Sequence, residues 1–424
     1  MMTAILFASF FLLLFLGVPV AFSLAASSVI YLLLAGIPLA IVPRTMFAGM
    51  DSFVLLSIIG FILAGNLMTT GGVVSRVIRL SNSMIGHVRG GLGLANIVAS
   101  IIFAGKSGSA LADVASLGTA LIPAMKKEGY DTPYTVAVTA ASSTIGPILP
   151  PSIPMILIGT IGGISITGLF MGGILPGFTM AFAMMGASYI ISKRNNHPKG
   201  PRGSLKQFLL ALKDAFWGIT MTILLLSGLF GGFFTPSEAA SLAVIYAVVI
   251  GLFIYRELKL RDLPKIFGES AILLSGIMLL VGFARVFGWI LSRERIPQAV
   301  ADAMLGLTTN PLLIILLMNI LLLLIGAFME TGAAIMILTP MLLGIATEIG
   351  MAPVQFGVMM VFNLVIGLIT PPVGVCLFVA ADVGKLSLKK AVYALLPFYA
   401  VNLVVLMIIS YVPAFTLWIP SLMR

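Results

Sequence analysis

"TIGPILPPSIPMILIG" (residues 144–159) is apolar enough to lie inside a bilayer, yet it carries four prolines. A proline inside a helix removes a backbone donor and clashes with the preceding turn, so a span holding four is interrupted. Lipid offers bare backbone groups no partner, at a cost of several kcal/mol each, so a broken helix persists there only where protein or a polar cavity surrounds it. The stretch also has a counterpart. "IGPILPP" (145–151) matches "IGLITPP" (366–372) at five of seven positions. Upstream, "LANIVASIIFAGKSGSA" (94–110) aligns with "LMNILLLLIGAFMETGAA" (317–334) across one insertion, and "AASSVIY" (25–31) resembles "AASLAVIY" (239–246). The chain repeats itself.

Composition sets the solvent. Of 424 residues, 60% are hydrophobic and 9% charged, with apolar runs of about bilayer length along most of the chain, so the fold is an all-α polytopic membrane protein. The formal charge of +10 does not indicate nucleic acid, because the basic residues fall in short gaps between apolar runs. A lone Cys376 can form neither an internal disulfide nor a metal cage. The first residues lack the basic start of a secretory signal and read as a retained span.

Spans are expected at about 2–17, 19–36, 52–71, 131–163, 165–192, 217–233, 236–255, 268–290, 353–381 and 388–412. Residues 91–124 and 311–347 are apolar but split by small and polar residues, which suits re-entrant hairpins. With the N-terminus outside, 18 of the 24 Lys and Arg residues fall on the inner side. Only Arg44, Arg293, Arg295 and Arg424 fall outside, while Lys106 and Arg285 lie within apolar segments. This bias places both termini outside. Residues 1–192 and 217–424 then form two repeats of about five spans, joined by a basic cytoplasmic linker over 193–216. Five is odd, so the second repeat enters from the opposite side and the repeats are inverted. Each holds a hairpin (91–124 or 311–347) beside a proline-broken helix (131–163 or 353–381). Breaks at matching depth beside glycine-rich tips point to an ion and substrate site at the midplane, where freed carbonyls bind a cation and helix amino ends face an anion.

At these residues the sequence resembles the large membrane subunit of TRAP transporters, tripartite carriers of organic acids that depend on a periplasmic binding protein. The motifs are "FAGKSGSALADVASLGTALIPAMKKEGYD" (103–131), "STIGPILPPSIPMILIG" (143–159), "GGFFTPSEAASLAVIYA" (231–247) and "LITPPVGVCLFVAADVG" (368–384), in family order over essentially the whole chain. The resemblance implies a sodium-driven elevator importer in a bacterial inner membrane, working with a small four-span subunit and a soluble periplasmic receptor. It also implies an apolar residue at the first hairpin tip where this chain has Lys106. A stand-alone sodium-coupled carboxylate carrier is the alternative.

Hydroxyls and carbonyls suffice to hold sodium. The first ion site is expected from Ser107, Gly108, Ser109, Ser142, Ser143, Thr144 and Gly146. Pseudo-symmetry gives a second from Thr331, Gly332, Ala333, Asn363, Gly367, Thr370 and Pro371. Substrate contacts are expected from Lys106, Ser109, Pro150, Glu330, Thr331 and Pro372. Lys106 and Glu330 align when Gly108 is matched to Gly332; either could serve the site, or they could pair with each other or with Asp113. No cofactor is called for. The only histidines, His87 and His197, lie in loops, so the His-Glu-x-x-His of a membrane metalloprotease is absent. Lys106 adjoins Ser107, but neighbours along a helix point apart, which argues against a Ser-Lys hydrolase.

Overall fold

The computed structural model describes residues 2–201 and 203–422, without the side chains of Ser107, Ala301, Met304 and Leu305. Those residues are helical almost throughout. Helices α1 (Met2–Phe15), α2 (Val20–Leu34), α3 (Ile41–Met50) and α4 (Leu55–Thr70) lead into an amphipathic arm, α5 (Val73–Ile85). A hairpin of α6 (Gly91–Ser107) and α7 (Ala110–Lys127) follows, then a span broken into α8 (Thr132–Ser143) and α9 (Ile153–Gly162), then α10 (Ile166–Arg194). There follow α11 (Leu205–Phe230), α12 (Pro236–Val249), α13 (Leu263–Arg293) and the arm α14 (Ile296–Leu307). A second hairpin joins α15 (Pro311–Phe328) to α16 (Thr331–Glu348). Another broken span, α17 (Pro353–Gly367) and α18 (Val375–Gly384), precedes α19 (Leu388–Tyr411) and α20 (Ala414–Ser421).

Among the described residues, seven helices are long and apolar enough to cross a membrane, or eight if α3 and α4, bent by 61° at their junction, form one span. The sequence reading of ten differs because α1, α2 and the halves of each broken span fall short of the length of a crossing, whereas both arms of the second hairpin reach it. Helix starts follow local chemistry. Asp131 accepts the Tyr134 N–H at 3.0 Å to open α8, and Thr235 and Glu238 exchange bonds at the head of α12. Ser204 and Gln207 do the same for α11, which therefore begins at Leu205, well ahead of the apolar run at 217.

Packing sorts the helices into two groups. One has α12 against α4, α13 against α2 and α3, and α11 against α5; the other packs α6 and α7 on α8, α15 on α17, and both α10 and α19 around the broken spans. The chain passes from the first group to the second at residues 86–91 and back at 195–204. These two passages pair. Arg89 and Lys199 form an antiparallel bridge, the Gly90 N–H donates to Pro198 O at 3.0 Å, and the Gly200 N–H to Gly86 O at 3.2 Å.

His197 anchors this strap. Its Nε2 meets the Asp131 carboxylate and its Nδ1 the Ser192 hydroxyl at 3.1 Å, while its ring lies 4.4 Å from Tyr134 and 5.0 Å from Tyr130. His197→Ala removes the bridge between Asp131 and Ser192, whose hydroxyl keeps its bond to Tyr134 at 3.1 Å, and is expected to cost about 1 kcal/mol. A lower melting midpoint in detergent checks this; an unchanged midpoint means the strap is not docked.

Candidate functional site

Both breaks are built alike. Thr144, Ile145 and Gly146 donate to the carbonyls three residues back, at 3.1–3.2 Å, and Leu368, Ile369 and Thr370 do the same at 3.0–3.2 Å, so α8 and α17 end in tightened turns. The Pro150–Pro151 and Pro371–Pro372 bonds are both cis. Hydroxyls in the breaks donate into their own helices: Ser143 to Ala140 O at 2.8 Å, Thr144 to Ala141 O at 2.6 Å and Thr370 to Ile366 O at 2.8 Å. A hydroxyl carries one proton and two acceptor sites, so donating inward leaves each with acceptor capacity.

Each hairpin is seated on a break. A β-carbon on Gly108, which sits at φ +57, would come within 2.5 Å of Pro151 O, and one on Gly367 within 2.2 Å of Gly326 O on the second hairpin. The Val373 N–H donates to Ala327 O at 3.1 Å. Matching amide clamps hold both arrangements. Asn96 of the first hairpin donates to Thr139 at 2.7 Å and accepts from Ser142 at 3.3 Å. Asn363 donates to Asn319 O and Oδ1 at 3.0 and 2.9 Å. Among the described residues, Asn363 Oδ1 and Thr331 Oγ1 are buried without a hydrogen-bond partner.

The two tips meet at one cavity of about 390 Å³. Its lining takes residues from the amino ends of four helices: Ser109 to Ala112 at α7, Ile153 and Pro154 at α9, Glu330 to Gly332 at α16, and Val375 and Cys376 at α18. A helix amino end carries about half a positive charge and unpaired N–H groups. The scaffold side adds Asn66 and Thr69 of α4 with apolar residues of α13. Among the described residues no Lys or Arg contributes to this lining, and the one charged side chain there, Glu330, is turned to a cap, accepting the Ala333 N–H at 3.1 Å.

Of the residues singled out in the sequence, the cavity therefore gathers Gly108, Ser109, Glu330, Thr331 and Gly332. Ser142, Ser143, Thr144, Gly146 and Pro150 are buried in the first break, and Asn363, Gly367, Thr370, Pro371 and Pro372 occupy the second. Ala333 is enclosed in α16; the side chain of Ser107 lies outside the described residues. Lys106 does not line the cavity, and among the described residues its Nζ has no hydrogen-bond partner. It is 1% exposed and turned toward α11. Asp113, weighed in the sequence only as a partner for Lys106, proves central: fully buried, its Oδ2 lies where a β-carbon on Gly146 would come within 2.3 Å. Asn66 and Thr69 were not anticipated either.

The model of the DctM component of the tripartite ATP-independent periplasmic transporters matches residues 7–415. The sialic acid TRAP transporter large permease SiaM of Vibrio cholerae is 38% identical over 413 residues, 97% of this chain and 96% of the relative. The isethionate TRAP transporter permease DctMQ of Oleidesulfovibrio alaskensis is 42% identical, over 97% of this chain but 65% of its own length. Among solved structures, the YdaH transporter of Alcanivorax borkumensis superposes with a TM-score of 0.62 at 17% identity, covering 89% of this chain and 87% of its own. MtrF of Neisseria gonorrhoeae gives 0.60 at 15%, covering 90% and 83%. These two establish likeness of fold alone. The relatives by sequence are permeases rather than enzymes, and this multi-pass membrane chain belongs to the DctM family, the large permease component of tripartite ATP-independent periplasmic transporters.

Proposed function

We propose that the chain is the transport-path subunit of a sodium-coupled importer of a small organic anion, fed by a periplasmic receptor and completed by a small membrane subunit. The convergence of four helix amino ends on a cavity lined by no cationic side chain carries the reading. Such a cavity offers an anion N–H donors and partial positive charge without a fixed ion pair, so it can let go. Sodium completes it. Hydroxyls of Ser143 and Thr144 with the Asp113 carboxylate form the first site, while Ser109 faces the anion from the cavity wall. Thr331 Oγ1, Asn363 Oδ1 and carbonyls near Gly367 form the second. Dicarboxylates, sugar acids and sulfonates all fit this chemistry, in keeping with relatives named for sialic acid, C4-dicarboxylates and isethionate.

In this proposal residues 1–192 and 217–424 are inverted repeats linked by 193–216, both termini are periplasmic, and the protein lies in the inner membrane. The helix group holding the hairpins and broken spans moves as an elevator against the other, which docks the small subunit. A potential of 100 mV supplies about 2.3 kcal/mol per net charge, so two sodium ions with a monoanion gain roughly 40-fold accumulation before any sodium gradient acts.

Proteoliposomes with both membrane subunits and candidate receptors test this. Uptake is expected to fall at least about tenfold when sodium is replaced by choline; equal uptake refutes sodium coupling. Uptake by this chain alone refutes the tripartite reading in favour of a stand-alone carrier.

A further inference from the structure

A second cavity, of about 450 Å³, lies between the two helix groups and exceeds the one at the tips. One wall is aromatic: Phe7 and Phe10 of α1 meet the Phe287 ring of α13 at 6.0 and 5.6 Å between centroids. The facing wall is the second hairpin, with Leu324 and Phe328 of α15, and Val300 of the arm α14 closes one side. Among the described residues the lining is Phe, Leu, Ile, Val and Met alone. The volume equals that of roughly fifteen waters in the liquid, but a buried water needs two to four polar partners and this lining offers none. Hydrocarbon is the other solvent of a membrane chain. The cavity meets it, since Phe15, Leu324 and Phe328 of the lining are exposed on the outside of the bundle.

Shape and surroundings narrow the occupant. Helix α1 folds back on α2, and Tyr31, near the far end of α2, donates to Glu294 at the elbow between α13 and α14. Phe7 and Phe10 therefore lie toward the elbow, and Phe15 is roughly 8 Å farther from it along α1. Phe287 stands roughly 9 Å below Arg293 along α13. The cavity is a slot running away from the elbow. At the elbow itself Arg293 and Arg295 are both exposed, with Arg293 over the Trp289 ring at 5.7 Å, while the acid between them, Glu294, is taken up by Tyr31. Tryptophan and arginine together mark a bilayer boundary.

We propose that this slot holds one acyl chain of an anionic membrane phospholipid whose phosphate sits on Arg293 and Arg295. The lipid then matches a cavity that is apolar along its length and cationic at its mouth. Because the walls belong to both helix groups, a shift of one against the other releases or reseats the chain. Binding itself does not rest on the elevator reading.

The test is fluorescence quenching of the membrane complex, reconstituted in phosphatidylcholine vesicles that contain phosphatidylglycerol with dibrominated chains. With every native tryptophan replaced by Phe, Phe287→Trp puts the reporter at a position 0% exposed, beyond reach of lipid outside the bundle. Its quenching is expected to reach at least about half that of Phe182→Trp, which is 64% exposed on α10; a smaller value overturns the proposal. Val300→Phe fills the slot, so it should cut quenching of the Phe287→Trp reporter at least about twofold and leave that of Phe182→Trp alone. No change overturns the proposal. Mole for mole, brominated phosphatidylglycerol should quench the buried reporter at least about threefold more than brominated phosphatidylcholine, and Arg293→Gln with Arg295→Gln should remove the preference. Equal potency with both arginines present overturns the headgroup assignment. Quenching that appears only when the small subunit is left out makes a protein segment the occupant and likewise overturns the proposal. Phe10→Trp, on the same wall and also buried, is the second reporter where Phe287→Trp does not fold.

Discussion

Ser109→Asp is expected to lower uptake about a hundredfold at subsaturating substrate, and Ser109→Asn to leave it within a few-fold of wild type. Ser109 caps α7, accepting the Ala112 N–H at 3.4 Å, and lines the cavity. Asp and Asn cap helices about as well as Ser, so neither change threatens the hairpin. They differ in one charge. A carboxylate about 6 Å from a bound anion, at an effective dielectric of about 20, costs roughly 3 kcal/mol, or about a hundredfold in affinity. Uptake against substrate concentration measures this directly. Equal curves for the two variants would mean that the cavity does not hold the anion. The comparison bears on the cavity's field because fold and cap are held constant.

Gly367→Ala should abolish uptake, with a loss above about a hundredfold. The new β-carbon would stand 2.2 Å from Gly326 O and 2.8 Å from Gly326 Cα, both backbone atoms in a helix that cannot yield locally. The first arm of the second hairpin would be levered off the break on which it sits. The reciprocal change is milder. A β-carbon on Gly326 meets Leu364 atoms no nearer than 3.3 Å, so Gly326→Ala should lose only a few-fold. Gly344, on α16 with nothing within 4 Å, should accept Ala without effect. Uptake normalised to folded protein, with melting midpoints, checks the order. Wild-type rates in Gly367→Ala would show that the seat of hairpin on break does not matter.

The two Pro-Pro breaks and the glycine-rich tips were legible because the conflict is local: prolines in an apolar run need a cavity, and small residues between apolar arms need a turn. The helices break at 108–109 and just before Thr331. Other features depended on three-dimensional neighbours. Asn66 and Thr69 lie near the end of α4, where polar residues read as a membrane boundary, and only packing against α9 and α13 turns them inward. Asp113 sits one turn into α7 like an ordinary first-turn acid, and its meeting with Gly146 requires the hairpin to fold back. Lys106 adjoins the tip in sequence, yet the helical turn aims it at α11. Polarity hid two helices. The segment 205–216 is basic enough to resemble linker but carries its own capping box, and α3 contains Pro43 and Arg44.

The pairing of residues 86–90 with 198–200 has a consequence for how the polypeptide could be made. Because both crossings are held side by side by main-chain bonds, a backbone nick between Gly200 and Leu205 would leave the ends in register. Extensive packing of α4 on α12 and of α13 on α2 and α3 would hold the fragments together. Two co-expressed fragments, split at that point, should reassemble into one permease.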